Sequence, residues 1–324
     1  MKRRGIGYSS IFYGTGYGNG FPDESRAEAE INGEGKIIIY VGAAEVGQGA
    51  KSIMWQIAGQ TLGLSLEYIM IENSSTDLFK DSGTAAASRQ TYNTGNAVLD
   101  ACRKLKENME LAFKRQGKDL FVIEEGIIKA DEYIYRLSEV HDVMKKNDVD
   151  TKVEGYFKAN TSPLDLNSGQ GNPYWPYTFA TQKVIVEVDD ETGKVEVIEV
   201  VGCNDSGKIV NPVLAEGQIQ GGTAMGIGYA LMEEIQIDNG EIKNTNFSDY
   251  IIPTSLDVPS IRTIFVEEEE ESGPYGAKGL GETAMIPTAP AIVNAIYDAV
   301  GVRIHELPAT CEKVLKAIKN KEEV

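Results

Sequence analysis

Histidine is nearly absent. His141 and His305 are the only two in 324 residues, too little material for an imidazole-based metal centre or a Ser-His-Asp triad. Cysteine is scarce too. Cys102, Cys203 and Cys311 include no Cys-x-x-Cys spacing, and one is necessarily left over from pairing, so they read as reduced, mostly buried thiols. Basic residues are outnumbered, 31 against 49 acidic, and the net charge of −18 opposes non-specific nucleic-acid binding. No apolar run approaches the roughly 20 residues that span a bilayer, so no membrane partner is expected. The start, Met1-Lys-Arg-Arg-Gly-Ile-Gly-Tyr, has no sustained apolar region and no small-residue cleavage site, which makes the cytoplasm the expected location. No Gly-x-x-x-x-Gly-Lys-Ser/Thr is present, and Gly14-Thr-Gly-Tyr-Gly18 is expected to lack both the preceding strand and the spacing of a Rossmann fingerprint, so ATP and NAD domains are disfavoured. The glutamate run at 267–271 reads as a solvated segment.

What remains is an ordinary globular composition, 42% hydrophobic and 25% charged, long enough for one large unit or two subdomains. Alternation at 26–31 and 36–41 around Asn32-Gly-Glu-Gly35 predicts a hairpin. Helical spacing of Ile53, Met54, Ile57, Ala58, Thr61 and Leu62 predicts a helix ending at Gly63, with Gly47-Gln48-Gly49 at its N-terminus. A strand at 68–71, a polar loop at 73–88 and a helix carrying Ala97, Ala101, Leu105 and Met109 follow. The stretch 121–153 offers short apolar runs and a short helix capped by Ser138. Prolines, glycines and amides at 163–176 suggest a long irregular connection, and a subdomain boundary there divides 1–162 from 163–324, with the C-terminal segment able to cross back. Beyond it come a hairpin at 183–200, a helix opening at Asn211-Pro212, a hairpin turn at Asp238-Asn-Gly240, and helices at 290–300 and 309–318. Thr288 is the expected N-cap of the first of these last two helices, and Gly301 its exit. The architecture expected is α/β or α+β, with mixed sheets and packed helices.

Three small-residue stretches each precede a helix: Glu45-Val-Gly-Gln-Gly49, Ser82-Gly-Thr-Ala-Ala-Ala-Ser-Arg-Gln90 and Gly276-Ala-Lys-Gly-Leu-Gly-Glu282. Each can turn backbone N–H groups toward an anion, and Gln48, Ser88, Arg89 and Gln90 add directional donors and acceptors. Gln218 lies on an otherwise small-residue helix face. Glu282, set among Gly279, Leu280, Gly281, Ala284 and Met285, would be partly desolvated, which suits a general base; a helix-capping glutamate in a turn is the other reading. Lys278 is its candidate structural partner under both. Tyr8, Phe12, Tyr13, Tyr17 and Phe21 alternate with Gly14, Gly16, Gly18 and Gly20, as rings presented from an irregular backbone, either as pocket walls or as edge packing.

With these residues the chain resembles the C-terminal molybdenum-cofactor-binding half of the xanthine dehydrogenase and aldehyde oxidoreductase family. The resemblance runs from Arg4 to Ile318 through the Gly47 stretch, TAAASRQTYNTGNAV from Thr84, YTFATQ from Tyr177, NPVLAEGQIQGG from Asn211 and GPYGAKGLGE from Gly273. It implies that Glu282 is the catalytic base. It also implies that Gly47, Gln48, Gly49, Ala85, Ala86, Ala87, Ser88, Arg89, Gln90, Gln218, Lys278, Gly279, Leu280 and Gly281 hold a molybdopterin dinucleotide, expected to be the cytosine form. Molybdenum would be held by the pterin dithiolene, with a sulfide or selenide ligand and no protein side chain. Tyr13, and after it Tyr17, would wall the substrate. The implied reaction is hydroxylation of an N-heterocycle with water as the oxygen source, on nicotinate first and a purine second; a non-catalytic carrier or assembly subunit is the rival of another class. Because the other half of the molybdenum unit is missing from a chain that starts at Met1 and reads as complete, a split subunit is expected. Its partners would be a large molybdopterin subunit, a 2Fe-2S subunit and an FAD subunit that passes electrons to NADP.

Overall fold

The computed structural model describes residues 1–18, 23–124 and 126–322. The chain opens with β1 (Lys2–Gly14), β2 (Glu24–Ile31) and β3 (Ile37–Val41), followed by α1 (Ala50–Leu62), β4 (Ile69–Glu72) and α2 (Gly95–Arg115). Short strands β5 (Phe121–Glu124), β6 (Ile127–Ala130) and β7 (Tyr133–Tyr135) precede α3 (Leu137–Lys146) and β8 (Lys152–Lys158). After the segment 159–176, which has neither helix nor strand, come β9 (Tyr177–Asp189), β10 (Val195–Asp205) and α4 (Pro212–Leu231). The ribbon β11 (Ile237–Asp238) and β12 (Glu241–Ile242), strand β13 (Ser260–Val266), α5 (Gly281–Met285), α6 (Thr288–Val300) and α7 (Cys311–Glu322) complete it. The expected mixed α/β architecture is present.

Two four-stranded sheets carry the structure, ordered β4-β3-β2-β8 and β1-β9-β10-β13. In the first, β3 pairs with β4 in parallel and the other pairings are antiparallel. Its inner face packs against α1 and α2 around Ile31, Ile39, Met54, Leu105 and Phe113. Helix α2 is positioned by its own periodicity, since Ala97, Ala101, Leu105, Met109 and Ala112 fall on one buried stripe. The second core gathers Val184, Val186, Ile227, Ile292 and Ile296 between β9, α4 and α6. All three cysteines are free, as expected, but not mostly buried: Cys102 is fully buried, Cys203 only partly, and Cys311, at the start of α7, is exposed.

The N-terminal segment differs from the sequence expectation. Residues 2–14 are not irregular but form the long edge strand β1, paired in antiparallel register with β9 (Ile6 to Ile185, Phe12 to Phe179). The alternation was concealed because the inner-facing positions are glycines. A Cβ on Gly7 would lie 2.0 Å from the Ala291 carbonyl oxygen, so only glycine lets α6 lie this close to the strand. Phe21 and Gly20 lie outside the described residues.

Two caps also differ. Arg136 is the N-cap of α3, where the Glu139 carboxylate accepts its backbone N–H at 2.7 Å, and Ser138 lies inside the first turn. Thr288 is the first helical residue of α6 rather than its cap, because its hydroxyl is turned inward to Gln182 at 2.8 Å. Asn211 does cap α4, accepting the Leu214 N–H at 3.1 Å.

Candidate active site

Between the two cores lies a cavity of about 400 Å³, within the size range of cofactor and small-molecule pockets. The loops after β3, β4 and β10 meet there with α4 and α5. Of the residues singled out in the sequence, Gln48, Ala85, Ala86, Ser88, Arg89, Gln90, Gln218, Lys278, Leu280, Gly281 and Glu282 line it. Gly47, Gly49, Ala87 and Gly279 sit in the same loops without lining it.

Glu282 is half-buried on the first turn of α5. Ser88 holds it twice: the Ser88 hydroxyl donates to its carboxylate and accepts its backbone N–H at 3.0 Å. Both Ala87 (φ 56) and Ser88 (φ 51) adopt the left-handed region, which costs a non-glycine residue of order 1 kcal/mol. The loop is held there from outside. A Cβ on Gly279 would lie 2.0 Å from the Ser88 carbonyl oxygen, so the 276–282 turn and the 84–90 loop touch backbone to backbone. Arg89 locks the loop from within: its side chain is 1% exposed, pairs with Asp23 at 2.6 Å, and donates to the carbonyls of Ser82 and Glu24 at 2.9 and 2.7 Å. Its guanidinium is therefore committed to loop geometry.

Tyr13, at the end of β1, faces Glu282; burial, and after it the nearby Glu282 carboxylate, push its phenol well above the ordinary tyrosine range. It stays protonated at any physiological pH. Tyr17 stands beside it, bonded through its hydroxyl to Thr84. Lys278 is not the partner of Glu282. It is buried against Asp205, at 2.9 Å, because the end of β10 and the 276–278 turn are bridged backbone to backbone at Gly207 and Ala277.

The helix α1 N-terminus also departs from expectation. Its free N–H groups do not await an external anion: the Glu45 carboxylate accepts from Gly47, Gly49 and Lys51 at 2.9, 2.9 and 3.0 Å. Burial opposes ionisation of Glu45, but these three donors outweigh it and hold the carboxyl below its ordinary value of 4.5. A carboxyl with a depressed folded-state pKa stabilises above its unfolded value and loses that contribution as pH falls through the folded one. Amide exchange at Gly47, Gly49 and Lys51, measured relative to an unstructured peptide, is therefore expected to lose protection on acidification below about pH 4.5. In Glu45→Gln this pH dependence should vanish; an identical profile in the variant would refute the cap.

Gln48 lies over the cavity with its amide donating to the Ala44 carbonyl at 2.8 Å and to Gln90 Oε1 at 3.3 Å. Sequence reasoning missed other lining residues, among them Ser206, Lys208, Ile209, Asn211 and Met285. The only signal was the run of small and polar residues closing the period-two pattern of β10. Two buried polar atoms of lining residues, Gln90 Nε2 and Ser206 Oγ, have no hydrogen-bond partner. Such orphans at a cavity wall are what a polar ligand satisfies. Among the described residues no group of three His, Cys, Asp or Glu converges to hold a metal ion, and no helix is long and apolar enough to cross a membrane.

A cavity lined by apolar side chains and amides, with two unsatisfied polar atoms in its wall and Glu282 as the one carboxylate among its lining residues, is a pocket for a polar ligand with a single candidate base. The chain belongs to the molybdopterin cofactor-binding domain family, whose model matches residues 1–259. It is 33% identical over 322 residues to the xanthine dehydrogenase molybdenum-binding subunit of Escherichia coli O157:H7, covering 96% of this chain and 42% of that one. It is 29% identical over 337 residues to the nicotine 6-hydroxylase large subunit of Paenarthrobacter nicotinovorans, covering 98% of this chain and 41% of that protein. Its fold superposes on the aldehyde oxidoreductase structure from Desulfovibrio gigas with a TM-score of 0.85 at 33% identity, covering 98% of this chain and 33% of that one. The chain thus spans less than half the length of these relatives.

Proposed function

We propose that this chain is the base-bearing half of a divided molybdenum hydroxylase site, working on an electron-poor N-heterocycle, nicotinate first. The observation that carries the reading is Glu282, oriented by Ser88 and faced by Tyr13 at the edge of a cavity whose wall has unsatisfied polar atoms. The residues fit a molybdopterin cofactor. Gln48, Gln90, Ser206 and Gln218 offer amide and hydroxyl groups to a pterin, and the Lys278 to Gly281 turn and the Ala85 to Ala87 loop offer backbone. A Cβ at Gly217 or Gly221, beside Gln218 on α4, would meet nothing within 4 Å, which leaves room for a ligand along that face.

When bound, the molybdenum cofactor supplies water activation and the two-electron acceptor. Glu282 takes the proton of the activated water. Ser88 fixes which carboxylate oxygen faces the cavity, and its bond to the Glu282 backbone keeps that geometry as the proton moves. Tyr13, protonated throughout, would shield the carboxylate and wall the ring in this reading, with Tyr17 beyond it, although neither is among the residues that line the cavity.

A second polypeptide, the large molybdopterin subunit, covers the cavity in this reading. Val46 and Met225 line it yet are 79% and 59% exposed, an apolar rim that an isolated domain has no reason to present. The names of the relatives fit a multi-subunit enzyme, and 2Fe-2S and FAD subunits would carry the electrons onward to NADP. The pterin would carry a cytosine nucleotide and the molybdenum a sulfide or selenide. Three free thiols fit operation in the cytoplasm. The name of the Escherichia coli relative favours a purine as the second reading. Turnover of the purified native complex on nicotinate, xanthine and quinoline separates these: nicotinate should be the preferred substrate, and preference for xanthine would replace it.

A further inference from the structure

The segment Tyr177-Thr-Phe-Ala-Thr-Gln182 has no part in the cavity as described. Its last residue nevertheless has a fully buried side chain in the middle of β9. Gln182 Nε2 donates to the Ala284 carbonyl at 2.9 Å and to Thr223 Oγ1 at 3.3 Å, and Oε1 accepts from Thr288 Oγ1 at 2.8 Å. One amide thus ties the sheet to α4, α5 and α6 at once.

The middle of these needs the tie most. Helix α5 has five residues, too few to persist on its own hydrogen bonds. Ala284 is two residues beyond Glu282, so the height of its carbonyl above the sheet sets the height of the carboxylate at the cavity. Against α4, Ala284 packs directly on Gly222, where a Cβ would lie 2.8 Å from the Ala284 methyl, and the hydrogen bond from Gln182 adds the directional tie that this apolar contact does not give.

We propose that Gln182 is the positioning residue for Glu282, fixing the depth of α5 beneath the cavity through the Ala284 carbonyl. Its catalytic meaning rests on the base reading of Glu282; its structural content does not. An amide is required because the Ala284 carbonyl and two buried hydroxyls converge on it and need both a donor and an acceptor.

Hydrogen exchange on the full chain tests this. In Gln182→Met, amides of Thr283 to Ile286 should exchange at least about ten-fold faster than in the wild type, with α2 and β2 unchanged. Thr288→Val, which keeps the bond to Ala284, should accelerate them less than about three-fold. Gln182→Asn, too short to reach all three partners, should give the same local pattern as Gln182→Met and serves if the latter does not fold. In the assembled complex, Gln182→Met should lower kcat about ten-fold with KM within two-fold and molybdenum content unchanged. Wild-type exchange at 283–286, or acceleration spread evenly over the chain, would overturn the proposal. Local acceleration together with an unimpaired Glu282→Gln enzyme would instead sink the base reading and leave the positioning role standing.

Discussion

Glu282→Gln in the assembled complex should retain its cofactor and lose turnover by at least about 10², the order contributed by a positioned general base. The amide is nearly isosteric and still accepts a hydrogen bond from Ser88, and its backbone N–H still donates to Ser88. What it cannot do is take a proton. Steady-state turnover beside metal and pterin content makes the comparison: near-normal kcat means that some other group accepts the proton, and loss of the cofactor means that Glu282 acts in binding.

The largest stability effect is expected at Arg89. Its guanidinium and Asp23 form a buried pair, 1% and 6% exposed, with Asn93 Nδ2 completing the carboxylate shell at 2.8 Å. Arg89→Met leaves Asp23 buried and charged, and breaking a buried pair from one side costs about 3–5 kcal/mol. The loss should appear as a lower urea midpoint, and because the Arg89 anchorage is one of the contacts that hold Ala87 and Ser88 in left-handed conformations, the 84–90 loop should become the first site of proteolysis. Removing both charges is expected to be milder: Asp23→Leu with Arg89→Met should recover part of the loss, since no unpaired charge remains. A double variant as unstable as the sum of the two singles would show that the pair is not coupled.

The site was legible in the sequence where local chemistry decides structure. Asn211-Pro212 announces the start of α4, Gly63 and Gly301 stand in left-handed conformation at the ends of α1 and α6, and each glycine-rich stretch does border the cavity. The relation between stretches was not legible, because it is a matter of long-range pairing. Nothing near Lys278 in the sequence says that its partner is Asp205, 73 positions away. Arg89 looks like an anion binder until Asp23 is placed beside it.

Strand β1 fails for a different reason. Period-two hydrophobicity reports a sheet only when the buried face carries side chains, and here the buried face is Gly5 and Gly7, chosen for the approach of α6. The same argument explains Gln182. Alternation around it reads correctly as strand, yet a polar residue at an inward position has no meaning until α4, α5 and α6 arrive over it from 41 to 106 residues downstream.

One measurement tests the central claim most directly: molybdenum and pterin nucleotide quantified per copy of this chain in the native complex, with its subunits identified. One molybdenum and one pterin dinucleotide per chain are expected, in a complex containing a second molybdopterin-binding polypeptide. A complex without molybdenum, or this chain purified alone with a full complement of cofactor, would contradict a divided active site.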